Sequence, residues 1–324
     1  NITGSGALAI TGASTCTVAN GQSVILNESS TFSTVTFASS GTIASVTIND
    51  SNAFDLKTLT TTGNLTVTAG GNITDSGTIT VGRNLAATTN ASNGVIDLGA
   101  LAVDGTIALV THNNGAATVV NDAGIDFAAS TVGGVLNATA TTGNMTDSGA
   151  LTIAGTSSFT TSADNATIAL DTTTNAFTGA VTITTNDNSG TDADVTIDGG
   201  TTALILAAST IDGDLTVTSG NASGITDSGT VTVGGNLAAT TDANNGLINL
   251  GTLAVDGTVA LATHGSGNAT VVNDAGLTFA AATVGGNLAA TATTGNMTDS
   301  GALTITGTTT LTTSANNATI ALDT

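Results

Sequence analysis

The chain has 324 residues, including 41 glycines, but it has no proline, tryptophan or tyrosine, and only 8% of its residues are charged. The formal net charge is −21, because 23 acidic residues face two basic ones, Lys57 and Arg83. Clustered cations for nucleic acid or for an anionic membrane surface are therefore missing. No run of about 18 apolar residues is present, so we expect no membrane insertion.

A short motif recurs from the beginning of the chain to its end. It consists of an apolar residue, any residue, glycine and any residue, followed by alternating positions that end in threonine, as in VDGTIALV. Its starts are 20 to 34 residues apart, which is typical of a solenoid whose loops vary in length. The thirteen starts are Ile10, Phe32, Thr61, Val81, Val103, Val132, Ile153, Phe177, Ile211, Val233, Val255, Val284 and Ile305.

Within each unit, runs of three to six strand-forming residues alternate with glycine, asparagine, aspartate and serine, as in TITV from Thr78 and VIDL from Val95. The units are too short for a βαβ crossover, and no segment has an apolar period of 3.6 residues over a helical length. The sequence therefore predicts an all-β fold, a parallel β-helix of about 13 coils. The absence of proline agrees with this, because every interior strand must donate its amides to a neighbour. We expect the motif glycine to sit in a turn with positive φ.

A longer repeat contains the motif, because residues 72–172 return, lightly edited, as 224–324. Asp75 recurs as Asp227, an offset of 152 residues. Internal repetition of this length indicates an array of stacked units.

The two copies indicate which side chains point inward. Apolar positions such as Ile107 and Phe159 change only to apolar residues, Val259 and Leu311, whereas other positions vary more freely, as when Val135 becomes Asn287. Such limited variation is expected for a packed interior. Cys16 occupies the motif position that Phe159 and Leu311 hold in their coils, so we interpret it as a small core residue.

We expect a single continuous solenoid over residues 1–324. Its long repeats are 1–143 and 144–295, and a partial third repeat covers 296–324.

The sequence predicts no catalytic, cofactor-binding or metal-binding residue. His112 and His264, the two histidines, recur in equivalent turns and are too many coils apart to bind one ion. Aspartates in turns could supply oxygen ligands from adjacent coils, so weak binding of a divalent cation such as Ca²⁺ stays open beside simple solvated turns. These aspartates are Asp75, Asp104, Asp122, Asp147, Asp212, Asp214, Asp227, Asp256, Asp274 and Asp299.

Two other activities known for β-helices fit poorly. Carbohydrate-active enzymes hold sugars on aromatic rings and use paired acids or a base, whereas this chain has seven phenylalanines as its only aromatic residues. Ice binding could use Thr-x-Thr pairs such as Thr66 and Thr68, but uneven coils disturb the lattice match. Glycosylation triplets occur, for example at Asn64, Asn90, Asn137 and Asn165, and most of them are expected by chance.

The cadence GNLTVTAGGNITDSGTITVGRNLAATT from Gly63, together with GNMTDSGALTI from Gly143, resembles the filamentous haemagglutinin-like repeats of large bacterial exoproteins and adhesins. The resemblance implies a right-handed parallel β-helix located outside the cell or at the cell surface. It provides no catalytic residues to carry over.

These observations predict a non-enzymatic, structural protein that forms a filament or matrix fibre by head-to-tail stacking of its terminal coils. The alternative is a stalk segment of a giant secreted adhesin. A carbohydrate-active enzyme and an ice-binding protein are less favoured. Any glycan or host surface that it binds is left open.

Overall fold

In the computed structural model, the chain is an all-β parallel β-solenoid of about 15 turns, which confirms the predicted fold class. The structure describes residues 1–186 and 192–324, and it contains no helix among them. Within that part of the chain, no helix could span a membrane. The chain divides into two compact units, Asn1–Gly155 and Thr156–Thr324, called unit 1 and unit 2 below.

Strands β1 to β18 belong to unit 1. Their bounds are Ile2–Thr3, Ala9–Val18, Gln22–Ser39, Ile43–Asp50, Phe54–Leu56, Leu59–Thr61, Leu65–Ala69, Ile73–Asp75, Ile79–Val81, Leu85–Ser92, Ile96–Val103, Thr106–His112, Ala117–Asn121, Ile125–Phe127, Ser130–Val132, Leu136–Ala140, Met145–Asp147 and Leu151–Ile153.

Strands β19 to β39 belong to unit 2. Their bounds are Ser157–Thr161, Ile168–Leu170, Ala176–Phe177, Val181–Thr184, Val195–Asp198, Leu204–Leu206, Ser209–Ile211, Leu215–Ser219, Ile225–Asp227, Val231–Val233, Leu237–Asn244, Ile248–Val255, Thr258–His264, Ala269–Asn273, Leu277–Phe279, Ala282–Val284, Leu288–Ala292, Met297–Asp299, Leu303–Ile305, Thr309–Thr313 and Ile320–Ala321.

Short strands form the sides of each turn. For example, β7, β8 and β9 follow one another around one turn, and the next turn covers them with β10 and the long strand β11. All of these pairings are parallel, so equivalent residues stack in columns such as Leu65, Leu85 and Ile107. Parallel strands of this kind must be covered by their neighbours to satisfy their amides and carbonyls.

The interior consists of aliphatic side chains at alternate strand positions. In β7, Leu65, Val67 and Ala69 are fully buried, while the threonines between them are half-buried. Ile107 and Val259, which the repeat comparison placed inside, are also fully buried. Burying each large aliphatic side chain contributes about 1.5 to 3 kcal/mol, so stability is distributed along the columns.

The predicted number of coils was slightly low because the motif does not stay on one side of the solenoid. Ile107 pairs with Phe127, so one turn takes about 20 residues here. The motif after Val103, however, begins at Val132. The residue before it, Thr131, pairs with Val110 of β12, whereas Val103 lies on β11. A motif step of this length therefore covers one turn and part of the next, and counting motifs undercounts turns.

The motif glycines have a different role from the predicted one. Among the described glycines, positive φ occurs at Gly21, Gly200, Gly224 and Gly265, none of which is a motif glycine. A Cβ on the motif residue Gly105 would instead overlap the backbone of Arg83 in the adjacent turn. The amide of Gly105 donates to the Arg83 carbonyl at 2.9 Å. Close approach between turns is thus what requires glycine here.

Cys16 is only half-buried, on β2 in register with Phe37. Burial raises the pKa of its thiol, which favours the uncharged form over the reactive thiolate.

Leu237→Asp is expected to destabilise the protein by about 4 kcal/mol or more, because it places a carboxylate in the aliphatic interior. Leu237 is 1% exposed, and it stacks on Leu215. Thr216→Asp is the matched control, because Thr216 follows Leu215 on the same strand and is exposed. Chemical denaturation followed by circular dichroism measures both variants. An unchanged midpoint for Leu237→Asp would contradict the inward assignment of this position.

Candidate functional site

The polar residues of the predicted turns bond mainly to the neighbouring turn. No group of three or more histidine, cysteine, aspartate or glutamate side chains that could hold a metal is found in residues 1–186 and 192–324. His112 ends β12 in unit 1, His264 ends β31 in unit 2, and both are exposed.

Three aspartates of the TDSG or TDS sequence bind two consecutive backbone amides one turn further on. We call Asp75, Asp227 and Asp299 the carboxylate staples. The two oxygens of Asp75 accept from the amides of Gly99 and Ala100, at 3.0 and 2.8 Å. Bonds of this type to a charged acceptor are stronger than neutral ones.

The second and third staples repeat this geometry in unit 2. Asp227 accepts from the amides of Gly251 and Thr252 at 3.0 and 2.6 Å, and also from the Thr252 hydroxyl. Asp299 accepts from the amides of the last two residues, 323 and 324, at 3.1 and 3.4 Å. The carboxylates considered as calcium ligands are thus already structural acceptors here.

Asparagine and aspartate residues just before the strands form a second device, which we call the Asx ladder. The side-chain oxygen of each member accepts the amide of the residue in register one turn on, at 2.7 to 3.2 Å. These bonds satisfy amides at corners where no strand pairing is available. The members are Asn64, Asn72 and Asn84 in unit 1, and Asp194, Asp214, Asn236, Asn268, Asn287 and Asn296 in unit 2.

A pair of buried asparagines was not singled out from the sequence as interior. Asn121 and Asn273 are at most 1% exposed. The signal was nevertheless present, because strict alternation in ATVVN puts the asparagine in phase with the buried alanine and the first valine. A buried amide requires partners for its oxygen and for its nitrogen, and both asparagines have them.

The remaining predicted aspartates differ in their exposure. Asp104, Asp122, Asp256 and Asp274 are exposed in turns. Asp147 and Asp212 are half-buried, and Asp214 belongs to the Asx ladder.

One shallow groove of about 270 Å³ brings Asp104 near Asp126, with Asn144 and Thr146 also in its wall. Oδ1 of Asp126 is buried and has no hydrogen-bond partner within the described residues. In unit 2 the equivalent position is Thr278, whose hydroxyl lies 3.0 Å from that of Thr298. Calcium prefers six to eight oxygen ligands, so weak divalent binding stays a prediction.

Within residues 1–186 and 192–324, the structure shows one ion pair, which joins Lys57 to Asp55. Nζ of Lys57 lies 2.5 Å from Oδ2 of Asp55 and also donates to Ser76 at 2.9 Å. Burial acts to raise the pKa of Asp55, but hydrogen bonds from Lys57, Ser76 and Thr74, with the charge of Lys57, outweigh it and lower the pKa.

The pKa of Asp299 is also lowered. The largest cause is a hydrogen bond with the Thr324 side chain, desolvation acts against it, and hydrogen bonds from backbone amides lower the pKa further. A carboxyl with a lowered folded-state pKa contributes stability above its unfolded pKa. That stability is lost as the pH falls through the folded value.

The threonine pairs and glycosylation triplets lie in different surroundings. Thr66 pairs with Thr47 and with Ala86, so alanine interrupts the threonine column there. Asn64 is an Asx ladder member, whereas Asn90 and Asn137 are exposed. Asn165 has a positive φ of 61°.

Asp227→Ala is expected to destabilise unit 2 by about 1 to 2 kcal/mol, because three donors lose a charged acceptor and water replaces it only in part. Asp256→Ala is the control, since it removes the same charge from an exposed turn. Denaturant midpoints measure both variants. Equal effects of the two substitutions would mean that the staple acts only through net charge.

A model of the family described as "Repeats of unknown function (DUF5649)" matches the chain four times, at residues 43–100, 114–184, 192–262 and 266–324. Searches of curated proteins and of solved structures found no match. These results do not test the resemblance to haemagglutinin-like repeats, which stays a prediction. The four matches cover most of the solenoid, so the chain belongs to the DUF5649 repeat family.

Proposed function

We propose that this chain is a non-catalytic structural protein, which forms a filament or matrix fibre outside the cell or at the cell surface. The observation that carries the proposal is the way each turn is bonded to the next. Main-chain pairing, the carboxylate staples and the Asx ladder all act between adjacent turns. Polar groups used in this way support the solenoid itself.

Side chains of the outermost described coil support assembly by stacking. In unit 2, β37 lies on β34 in parallel register. Val284 of β34 is fully buried, whereas its partner Ile305 and the nearby Leu303 are partly exposed. Ile320 is 44% exposed. We propose that this surface is covered by another copy or by further coils of the same chain, because open strand edges pair readily.

Electrostatic repulsion opposes side-by-side association of copies. With a net charge of −21, side-by-side contact between copies is repulsive over about 8 Å at physiological salt. Divalent cations would reduce this repulsion, so we propose that they promote lateral bundling of stacked copies. Nucleic acid and anionic membrane surfaces remain outside the proposed partners, since both carry the same sign of charge as this chain.

Leu303→Asp is expected to suppress end-to-end association of the 324-residue chain, because a carboxylate on the stacking surface would have to be desolvated. Thr304→Asp is the control, since Thr304 is the exposed neighbour on the same strand. Sedimentation velocity and negative-stain electron microscopy measure particle length for both variants, with and without Ca²⁺.

The wild-type chain should give elongated oligomers, and the control should behave in the same way. A monodisperse wild-type monomer at high concentration would contradict assembly by this chain and would favour the stalk of a larger adhesin. Loss of association in both variants would mean that added charge, rather than the inward position, is responsible.

A further inference from the structure

Three turns of the solenoid carry an asparagine or aspartate side chain at corresponding inward positions. Asn121 and Asn273 occupy these positions in units 1 and 2, and Asp50 occupies the corresponding one earlier in unit 1. Each is at most 1% exposed. Each also accepts, through Oδ1, the backbone amide of the residue 18 positions earlier.

The two asparagines satisfy all of their polar atoms. Oδ1 of Asn121 accepts from the Val103 amide at 2.8 Å, and its Nδ2 donates to the carbonyls of Val103 and Gly124 at 3.0 and 2.6 Å. Asn273 repeats these distances with Val255 and Gly276. An amide fits because one end accepts and the other end donates.

Asp50 accepts hydrogen bonds as the asparagines do, but it has no amide nitrogen that could donate. Its Oδ1 accepts from the amides of Phe32 and Asn52, at 3.4 and 3.0 Å. Its Oδ2 is buried and has no hydrogen-bond partner in the described part of the chain. By the offsets seen in the asparagine turns, an amide nitrogen here would reach the carbonyls of Phe32 and Ala53. A carboxylate oxygen cannot donate to them.

The surroundings provide no compensating charge. Asp50 pairs with Ser30 on β3 and with Ala69 on β7, and neither residue is charged. On the strands that pair with β4, which are β3, β6 and β7, the titratable side chain is Glu28, which is exposed and acidic. The cation Lys57 is held in an ion pair by Asp55 of β5. A buried carboxylate without a donor is destabilising relative to a hydrogen-bonded amide.

We propose that Asp50 is a release point of unit 1, where the contact between adjacent turns opens first. We call the three residues in register, Ser30, Asp50 and Ala69, the Asp50 rung. Oδ2 of Asp50 leaves this rung with a buried oxygen that has no donor opposite it in the described part of the chain. The device is conformational, and it does not depend on the proposed stacking of copies.

Asp50→Asn tests this directly, because it installs the donor of the other two turns and keeps the size of the side chain. Amide hydrogen exchange in the full chain, read by mass spectrometry, should slow by about tenfold across β4 (Ile43–Asp50) and the adjoining part of β3. The matched control is Asp97→Asn, which makes the same charge change at an exposed position on β11. It should leave the exchange of β4 unchanged.

Unchanged or faster exchange of β4 in Asp50→Asn would overturn the proposal, as would an equal effect of Asp97→Asn.

Discussion

The structure depends on one constraint, which is that a strand of this solenoid satisfies its backbone only through the turns next to it. Each described coil is too short to form a sheet of its own, and its amides and carbonyls point along the stack. The register Leu65, Leu85, Ile107 shows the result, because the same hydrogen bonding that joins the turns also aligns their inward side chains in one column. Backbone pairing and interior packing are therefore satisfied together.

Corners are where this arrangement is weakest, and polar side chains act there. The chain must leave the strand conformation at each corner, so the next turn presents amides without a strand partner. The Asx ladder and the carboxylate staples accept these amides, for example when Asn84 accepts from Thr106 and Asp75 accepts from Gly99. Asparagine and aspartate suit these positions because a short side chain keeps its oxygen close to the backbone. The acidic composition of the chain is thus partly a consequence of how its corners are bonded.

Much of the fold could be predicted from the sequence because strand alternation and internal copying are both local signals. Inward positions such as Ile107 and Leu237 follow from alternation and from volume kept between the two copies. The number of turns was harder, since the motif marks a type of corner and that corner moves around the solenoid between Val103 and Val132. The role of Gly105 depends on the backbone of a turn that lies 22 residues away in sequence, near Arg83, and no local pattern contains that distance.

The polar sites could also be predicted only in part. The TDSG aspartates stood out as a repeated turn residue, but their acceptor role requires knowing which amides come opposite them one turn later. The difference between Asp50 and Asn121 was invisible for the same reason, since alternation marks both as inward and cannot tell a satisfied amide from an unmatched carboxylate. Chemistry at a single position in this protein is decided by its neighbours along the stack.

The internal copy itself follows from the stacking constraint. Asn121 pairs with Leu101 and Ala140, and Asn273 pairs with Leu253 and Ala292, so the copied segment restores every local partner. A copied segment that did not contain a whole number of turns would bring inward residues opposite corners, and the columns would be broken. The offset of 152 residues is therefore tolerated because it preserves register, and a solenoid stabilised mainly by nearest neighbours can lengthen in such steps without a new core. Polar differences between copies, such as Asp126 against Thr278, then change local properties while the shared backbone pattern is kept.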